Sequence, residues 1–351
     1  MRLGYSIAGT GLGPEAFAQL AAQAESLGYE SIWSSEVMGA DPIAMLGWIA
    51  ARTKTIGLGS AVLQISGRSA VSTAASAATL ARLSGGRFRL GLGSSGPQVT
   101  EGWHGQRYDR PLARTRDYVA VLRLALAGEP IDYRGATLVL PAPDGDCEAL
   151  PLLAASAKAP QVPIYLAGLG EKAIALAGEI ADGLITIHTP PEYLARAGEW
   201  LRAGAGRGGP GGGGRALDGF DLAAMVLVHV DDDLDLARDM VRPALAIYLG
   251  GMGTASTNFY NRLAARLGYA EQAERIQKSF LAGDLDASIG ALSDDLVDAM
   301  TICGPPWRVR RRLAAYRDAG TTTLIAGSAA PSMALRCEQL ELLADVAIDS
   351  A

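Results

Sequence analysis

The stretch "GLGSSGPQVTEGWHG", residues 91–105, satisfies G-x-G-x-x-G through Gly91, Gly93 and Gly96. In a dinucleotide-binding crossover such glycines sit at the first strand-to-helix turn, a helix opens at once on the pyrophosphate, and an acidic residue follows about twenty positions on. Here the string follows the fourth apolar segment of the chain, and Pro97 and Gly102 are expected to delay the next helix. The other reading ends a strand of a parallel barrel at its C-terminal mouth, where active sites of that fold are built. Ser94, Ser95 and Gly96 would then bring bare backbone close to a flat ligand.

The rest of the chain favours the barrel. Apolar, β-branched-rich segments at 3–8, 31–35, 55–63, 88–93, 162–167, 183–187, 222–230 and 322–326 alternate with helical patterns. The helices fall near 14–27, 42–52, 70–84, 110–127, 170–181, 191–204, 233–249, 305–319 and 332–348. Strand and helix in serial alternation predict an α/β fold, a (β/α)8 TIM-like barrel forming a single domain over 1–351. Its usual core of about 250 residues leaves roughly 100 for insertions. Two are expected: 129–161, an excursion or hairpin over the mouth, and 251–300, extra helices between the last two strands. The segment "GAGRGGPGGGGR", 204–215, has no side chains to bury and reads as a flexible connection; no G-K-[ST] follows it, so it is not a phosphate loop.

Composition narrows the function classes. Hydrophobic residues make up 49% of the chain, enough for a large core. The start "MRLGYSIAG" reads as a strand without a signal-peptide pattern, and no run of about eighteen apolar residues follows, so a cytoplasmic protein with no membrane partner is expected. A net charge of −6 with dispersed arginines argues against nucleic acid. Cys147, Cys303 and Cys337 are odd in number and far apart, which predicts reduced, structural thiols. His104, His188 and His229 lack metal-ligand spacing, and no G-x-S-x-G elbow occurs, so neither a metal site nor a hydrolytic nucleophile is expected.

The string "GRFRLGLGSSGPQVTEGWHGQRYDRPLARTRDYVAVLR" resembles the coenzyme F420 (deazaflavin) dependent branch of the luciferase-like monooxygenase superfamily, as do "AATLARLSGGRF", "PIYLAGLGEKAIALAGEIADGLI" and "LAIYLGGMGTASTNFYNRLAARLGY". The likeness runs from the first strand to about residue 327. It implies a cofactor lying across the barrel mouth, with a bulge and a non-proline cis peptide at Ser60–Ala61 behind its central ring. It also implies that Ser94, Ser95 and the segment Ala167–Gly168–Leu169–Gly170 lie beside the ring system. The helix N-terminus after Gly170 offers free N–H groups to an anionic tail, and His188 stands where similar proteins often carry a cation for the cofactor phosphate.

The catalytic pattern departs from the relatives. Glu36 fills their acidic position after the second strand, but Val37 replaces the histidine that follows it, and Ser95–Gly96 stand where sugar-phosphate dehydrogenases of the branch carry a second carboxylate. Alcohol oxidation is therefore doubtful, since it needs a base for the hydroxyl proton. Glu36, His104 and Tyr108, with Glu101 nearby, are the proton-handling candidates. Arg68, Arg110 and Arg114 could meet an anionic tail or substrate, and Tyr248, Asn258 and Tyr260 could line the substrate pocket. The expected activity is hydride transfer between C5 of coenzyme F420 and a small organic substrate, as a reductase of C=N or C=C. An FMN-dependent monooxygenase fed by a partner reductase, and a cofactor-binding barrel without catalysis, are the alternatives. A homodimer through the small-residue helix "AVSTAASAATLARLS" is expected as well.

Overall fold

The computed structural model describes residues 1–7, 13–36, 41–153, 160–208, 213–254 and 256–348. In chain order the elements begin β1 (Arg2–Ser6), α1 (Pro14–Ser26), β2 (Ser31–Ser34), α2 (Pro42–Ala50), β3 (Gly57–Ser60), β4 (Leu63–Gln64), α3 (Ala70–Leu83), β5 (Phe88–Gly93), α4 (Pro97–Gly102) and α5 (Pro111–Ala127). A short hairpin follows, β6 (Tyr133–Arg134) and β7 (Val139–Leu140), then β8 (Ile164–Ala167), α6 (Glu171–Ile180), β9 (Gly183–Ile187), α7 (Pro191–Ala205), β10 (Asp221–Val230) and α8 (Leu234–Ala246). Small helices α9 (Phe259–Ala264), α10 (Ala270–Leu281), α11 (Leu285–Gly290) and α12 (Asp294–Met300) lead to β11 (Ile302–Gly304), α13 (Pro306–Asp318), β12 (Thr323–Gly327) and α14 (Met333–Ile348).

Strands β1, β2, β3, β5, β8, β9, β10 and β12 pair in parallel in that order, and β12 returns to β1, so the sheet closes into an eight-stranded barrel. Local chemistry marks the helix starts. Proline occupies the first position of α1, α2, α4, α5, α7 and α13, where its missing N–H costs nothing. Asp41, Ser69 and Asp233 cap α2, α3 and α8 with side-chain oxygens.

The barrel is a packed core. Trp33 and Tyr165 meet edge to face inside it, centroids 5.6 Å apart, among Ile185, Ala223, Met225 and Ile325. Glycine supplies the room: a Cβ on Gly59 would lie 2.2 Å from the Trp33 ring, and one on Gly183 2.3 Å from Tyr165. The N-terminal end is closed by polar pairs. Arg89 grips Glu30 with both guanidinium nitrogens, and Asp221 accepts from Tyr165 at 2.9 Å and Thr323 at 2.8 Å while pairing with Arg2 at 2.9 Å. A larger apolar layer lies between the barrel wall and the surrounding helices, and a third cluster holds α8–α10 and α12 together.

Several expectations need correction. The segment 55–63 is interrupted: β3 pairs with β5 as far as Gly59–Arg89, the chain bulges through Ala61 and Val62, and β4 resumes pairing at Leu63–Leu92. The cis peptide is Ala61–Val62, one residue beyond the expected Ser60–Ala61. No delay follows Gly96, because Pro97 opens α4 directly. Of the glycine-rich connection, residues 209–212 lie outside the described residues, as do Ala8 and Val37. The three cysteines are free thiols, but Cys147 is exposed and packs no core.

Candidate active site at the barrel mouth

Gly91 and Gly93 clear space for the protein itself. A Cβ on Gly91 would lie 2.0 Å from the Ser60 carbonyl oxygen, and one on Gly93 2.6 Å from Val62 Cγ2. The bulge of the third barrel strand therefore leans into the notch that these glycines leave in the neighbouring strand. Ser60 secures it: its buried hydroxyl donates to the Gly91 carbonyl and accepts from the Gly91 N–H, both at 2.9 Å. This gives the Ser60 side chain a structural partner on the neighbouring strand.

What the bulge presents to the mouth is small and apolar. Ala61, Val62 and Ile187 are half-buried and pack on the barrel interior, and Ala167 on β8 is exposed. The same notch ties them together, since the Cβ that Gly93 lacks would sit 3.7 Å from that of Ala167. Ser94 and Ser95 continue from β5 as half-buried residues, and Ser95 takes a left-handed φ of 57°. His188, at the end of β9, does so with φ 52°. Non-glycine residues in this region cost of order 1–3 kcal/mol and cluster at functional sites.

One wall of the mouth is a hydrogen-bonded chain. Glu36, just past β2, accepts from the Gln64 N–H at 2.7 Å and pairs with Arg68 at 3.2 Å, and Arg68 reaches Asp41 at 2.6 Å. Gln64 Nε2 donates to the Glu36 carbonyl at 2.8 Å, and Gln64 Oε1 lies 3.2 Å from His104 Nε2. Glu36 and His104, far apart in sequence, are thus joined through Gln64. Nothing in the sequence analysis singled out Gln64 or Asp41; Gln64 lies one residue past the expected strand 55–63, and Asp41 is found as the cap of α2. Arg68 is engaged here and is not a free cation.

The remaining candidates divide. The Tyr108 N–H donates to Glu101 Oε1 at 3.0 Å, and the half-buried Tyr108 side chain lines, with Ser94, Thr100 and Arg114, a void of about 10 Å³ that holds one water at most. Arg114 bonds Gln106 at 2.8 Å, while Arg110 bonds the Ala136 carbonyl at 3.0 Å, beside the hairpin. Asn258 is buried, caps α9 and donates to the Tyr248 and Leu249 carbonyls.

Burial holds His188 toward its neutral form. It is 1% exposed, its Nδ1 lies 3.3 Å from the Met300 carbonyl, and burial pushes its pKa down to about 4. Its Nε2 is buried without a partner among the described residues, and its ring meets Tyr248 edge to face at 4.5 Å, with Tyr260 beyond. On β8's side, Gly168 N–H donates to the Ile185 carbonyl at 3.1 Å, and Tyr193 donates to the Leu169 carbonyl. Gly170 starts α6 with no side-chain cap, and a Cβ there would lie 3.8 Å from Arg266 Nη1, brought in by the helical insertion. No cluster able to hold a metal ion occurs among the described residues, nor does any helix long and apolar enough to cross a membrane.

A closed parallel barrel whose C-terminal mouth combines a bulged strand, a bare floor and an uncapped helix start is the frame of the flavin-type barrel oxidoreductases. Residues 1–323 match the luciferase-like monooxygenase family, and the chain belongs to it. A Mycobacterium tuberculosis protein assigned as a coenzyme F420-dependent oxidoreductase is 37% identical over 94% of this chain and 96% of its own length. The 5,10-methylenetetrahydromethanopterin reductase of Methanolobus tindarius is 30% identical over 89% of each chain. Among solved structures, the coenzyme F420-dependent tetrahydromethanopterin reductase of Methanopyrus kandleri superposes with a TM-score of 0.81 at 25% identity, covering 99% of this chain and 98% of that one.

Proposed function

We propose that the protein is a coenzyme F420-dependent reductase that delivers hydride to a C=N or C=C bond of a small organic substrate. The observation that carries this reading is the floor of the mouth, where the Ala61–Val62 bulge and exposed Ala167 share one notch. A flat, largely apolar ring would rest there on backbone and on the side chains of Ala61, Val62 and Ala167. The relatives' names support both the cofactor and the reductive direction.

The residues present fit such a group. Its apolar ring would rest on Ala61, Val62 and Ala167, with Ser94 and Ser95 at the edge. An anionic tail would meet the free N–H groups at the start of α6 and the Arg266 guanidinium. His188, being neutral, serves as an acceptor for a hydroxyl and not as a phosphate cation. When bound, the reduced deazaflavin supplies a hydride at C5, and the carbon in place of the flavin nitrogen suppresses reaction with oxygen.

The chain's own part is to orient, exclude water and supply a proton. Hydride addition to C=N leaves a lone pair on nitrogen, and addition to C=C leaves one on carbon; either takes up one proton. His104 is the donor this reading assigns, with Glu36 anchoring the wall that holds it and the half-buried Tyr108 as a second proton source. Titrating the purified protein with F420 and with FMN, while following oxygen consumption, tests the proposal. Micromolar or tighter F420 binding without oxygen uptake is expected. Preferential FMN binding with oxygen uptake would overturn it in favour of a monooxygenase, and binding of neither would leave a barrel without this chemistry.

A further inference from the structure

The orientation of the Gln64 amide follows from its partners. The Glu36 backbone carbonyl can only accept, and it receives Gln64 Nε2 at 2.8 Å, so the amide turns its oxygen, also acceptor only, toward His104 Nε2 at 3.2 Å. His104 must then carry a hydrogen on Nε2, which leaves Nδ1 as the nitrogen that gains and loses the proton. An imidazolium also bears Nε2–H, so the same hydrogen bond survives in both protonation states.

We propose that Gln64 is a positioning residue that fixes the His104 ring through its proton cycle, confining proton exchange to Nδ1. This rests on the reading of His104 as the proton donor. The surroundings make Gln64 rigid. It is 7% exposed, and its own N–H is held by the Glu36 carboxylate, which Arg68 pins from the other side. The ring is confined too: a Cβ on Gly67 would lie 3.3 Å from His104 Cε1. The charged groups around it are Glu36, Arg68 and Asp41 beyond Gln64, Glu101 on α4, and Asp109 and Arg114 in the segment that follows.

Nitrogen-15 NMR of the histidine side chains in the cofactor-free protein reads this directly. His188 and His229 are buried with pKa values pushed down by desolvation, so both titrate at lower pH than an unperturbed imidazole and their signals separate from that of His104 by assignment. His104 is expected to show a protonated, slowly exchanging Nε2 and an unprotonated Nδ1 at high pH. In Gln64→Leu the Nε2–H signal should be lost to water exchange. In Gln64→Glu, which keeps the shape and adds a carboxylate, the His104 midpoint should rise by about one pH unit or more. The alkaline limb of the pH–rate profile should move up by the same amount, since a general acid works below its pKa.

An Nδ1–H pattern in the parent protein, or an unmoved midpoint in Gln64→Glu, would overturn the positioning role. Expected NMR behaviour with a pH–rate profile indifferent to Gln64→Glu would overturn the link to proton transfer. Neither result bears on F420 binding, which is tested separately by titration.

Discussion

At the scale of the residue, the glycines of the barrel are spacers for other parts of the same chain. Gly59 makes room for Trp33 and Gly91 for the Ser60 carbonyl, at projected Cβ contacts of 2.2 Å and 2.0 Å. In a packed interior such overlaps force backbone movement, so Gly59→Ala and Gly91→Ala should each destabilise the fold by about 3 kcal/mol, at the upper end of overpacking effects. Urea midpoints would show it, with Gly13→Ala, where a Cβ meets nothing within 4 Å, as the control. The sequence displayed these glycines plainly and was silent on what fills the space beside them, because the filler comes from another strand. His188 shows the same limit. Its position at a strand end was legible, whereas its neutrality depends on burial beneath Met300 and Tyr248, which lie far along the chain. Gln64 was missed for the opposite reason: it falls one residue beyond the expected strand 55–63 and carries no spacing signal, and its meaning appears only when His104 and Glu36 arrive on either side.

At the scale of the element, periodicity located the barrel strands and their helices, and its errors fall where backbone departs from regularity. The third barrel strand was read as continuous because Gly57 to Leu63 is uniformly apolar or small; one extra residue against β5 is a register event that composition does not record. The start of that strand is fixed by Glu25 of α1, whose carboxylate accepts from the backbone N–H groups of Lys54, Thr55 and Ile56 and from the Thr55 hydroxyl. Desolvation raises its pKa, but these hydrogen bonds outweigh it and bring the value to about 2 from 4.5. A carboxylate with a depressed folded-state pKa stabilises fully above its unfolded value and loses that contribution as pH falls toward the folded one. The stability of the parent protein should therefore drop between about pH 4.5 and pH 2 more steeply than that of Glu25→Gln, as seen by thermal melts across that window.

At the scale of the whole molecule, the helical insertion and the barrel meet at the start of α6. Arg266 stands beside Gly170 with no ion pair found for it among the described residues, so the insertion contributes charge to a place where the barrel offers unpaired N–H groups. Replacing it, Arg266→Ala, should weaken F420 about tenfold and lessen the salt dependence of binding, while a deazaflavin lacking the phosphate-bearing tail should bind both proteins equally. Fluorescence titrations of the two ligands separate this from a general loss of structure.

The closed underside of the barrel has a consequence for traffic. Trp33, Tyr165 and the Arg89–Glu30 and Arg2–Asp221 pairs stopper the interior on the side away from the C-terminal mouth. With a flat cofactor on the floor and the substrate above it, as proposed, a two-ligand turnover should run in sequence, the deeper guest first in and last out, which product-inhibition patterns would check.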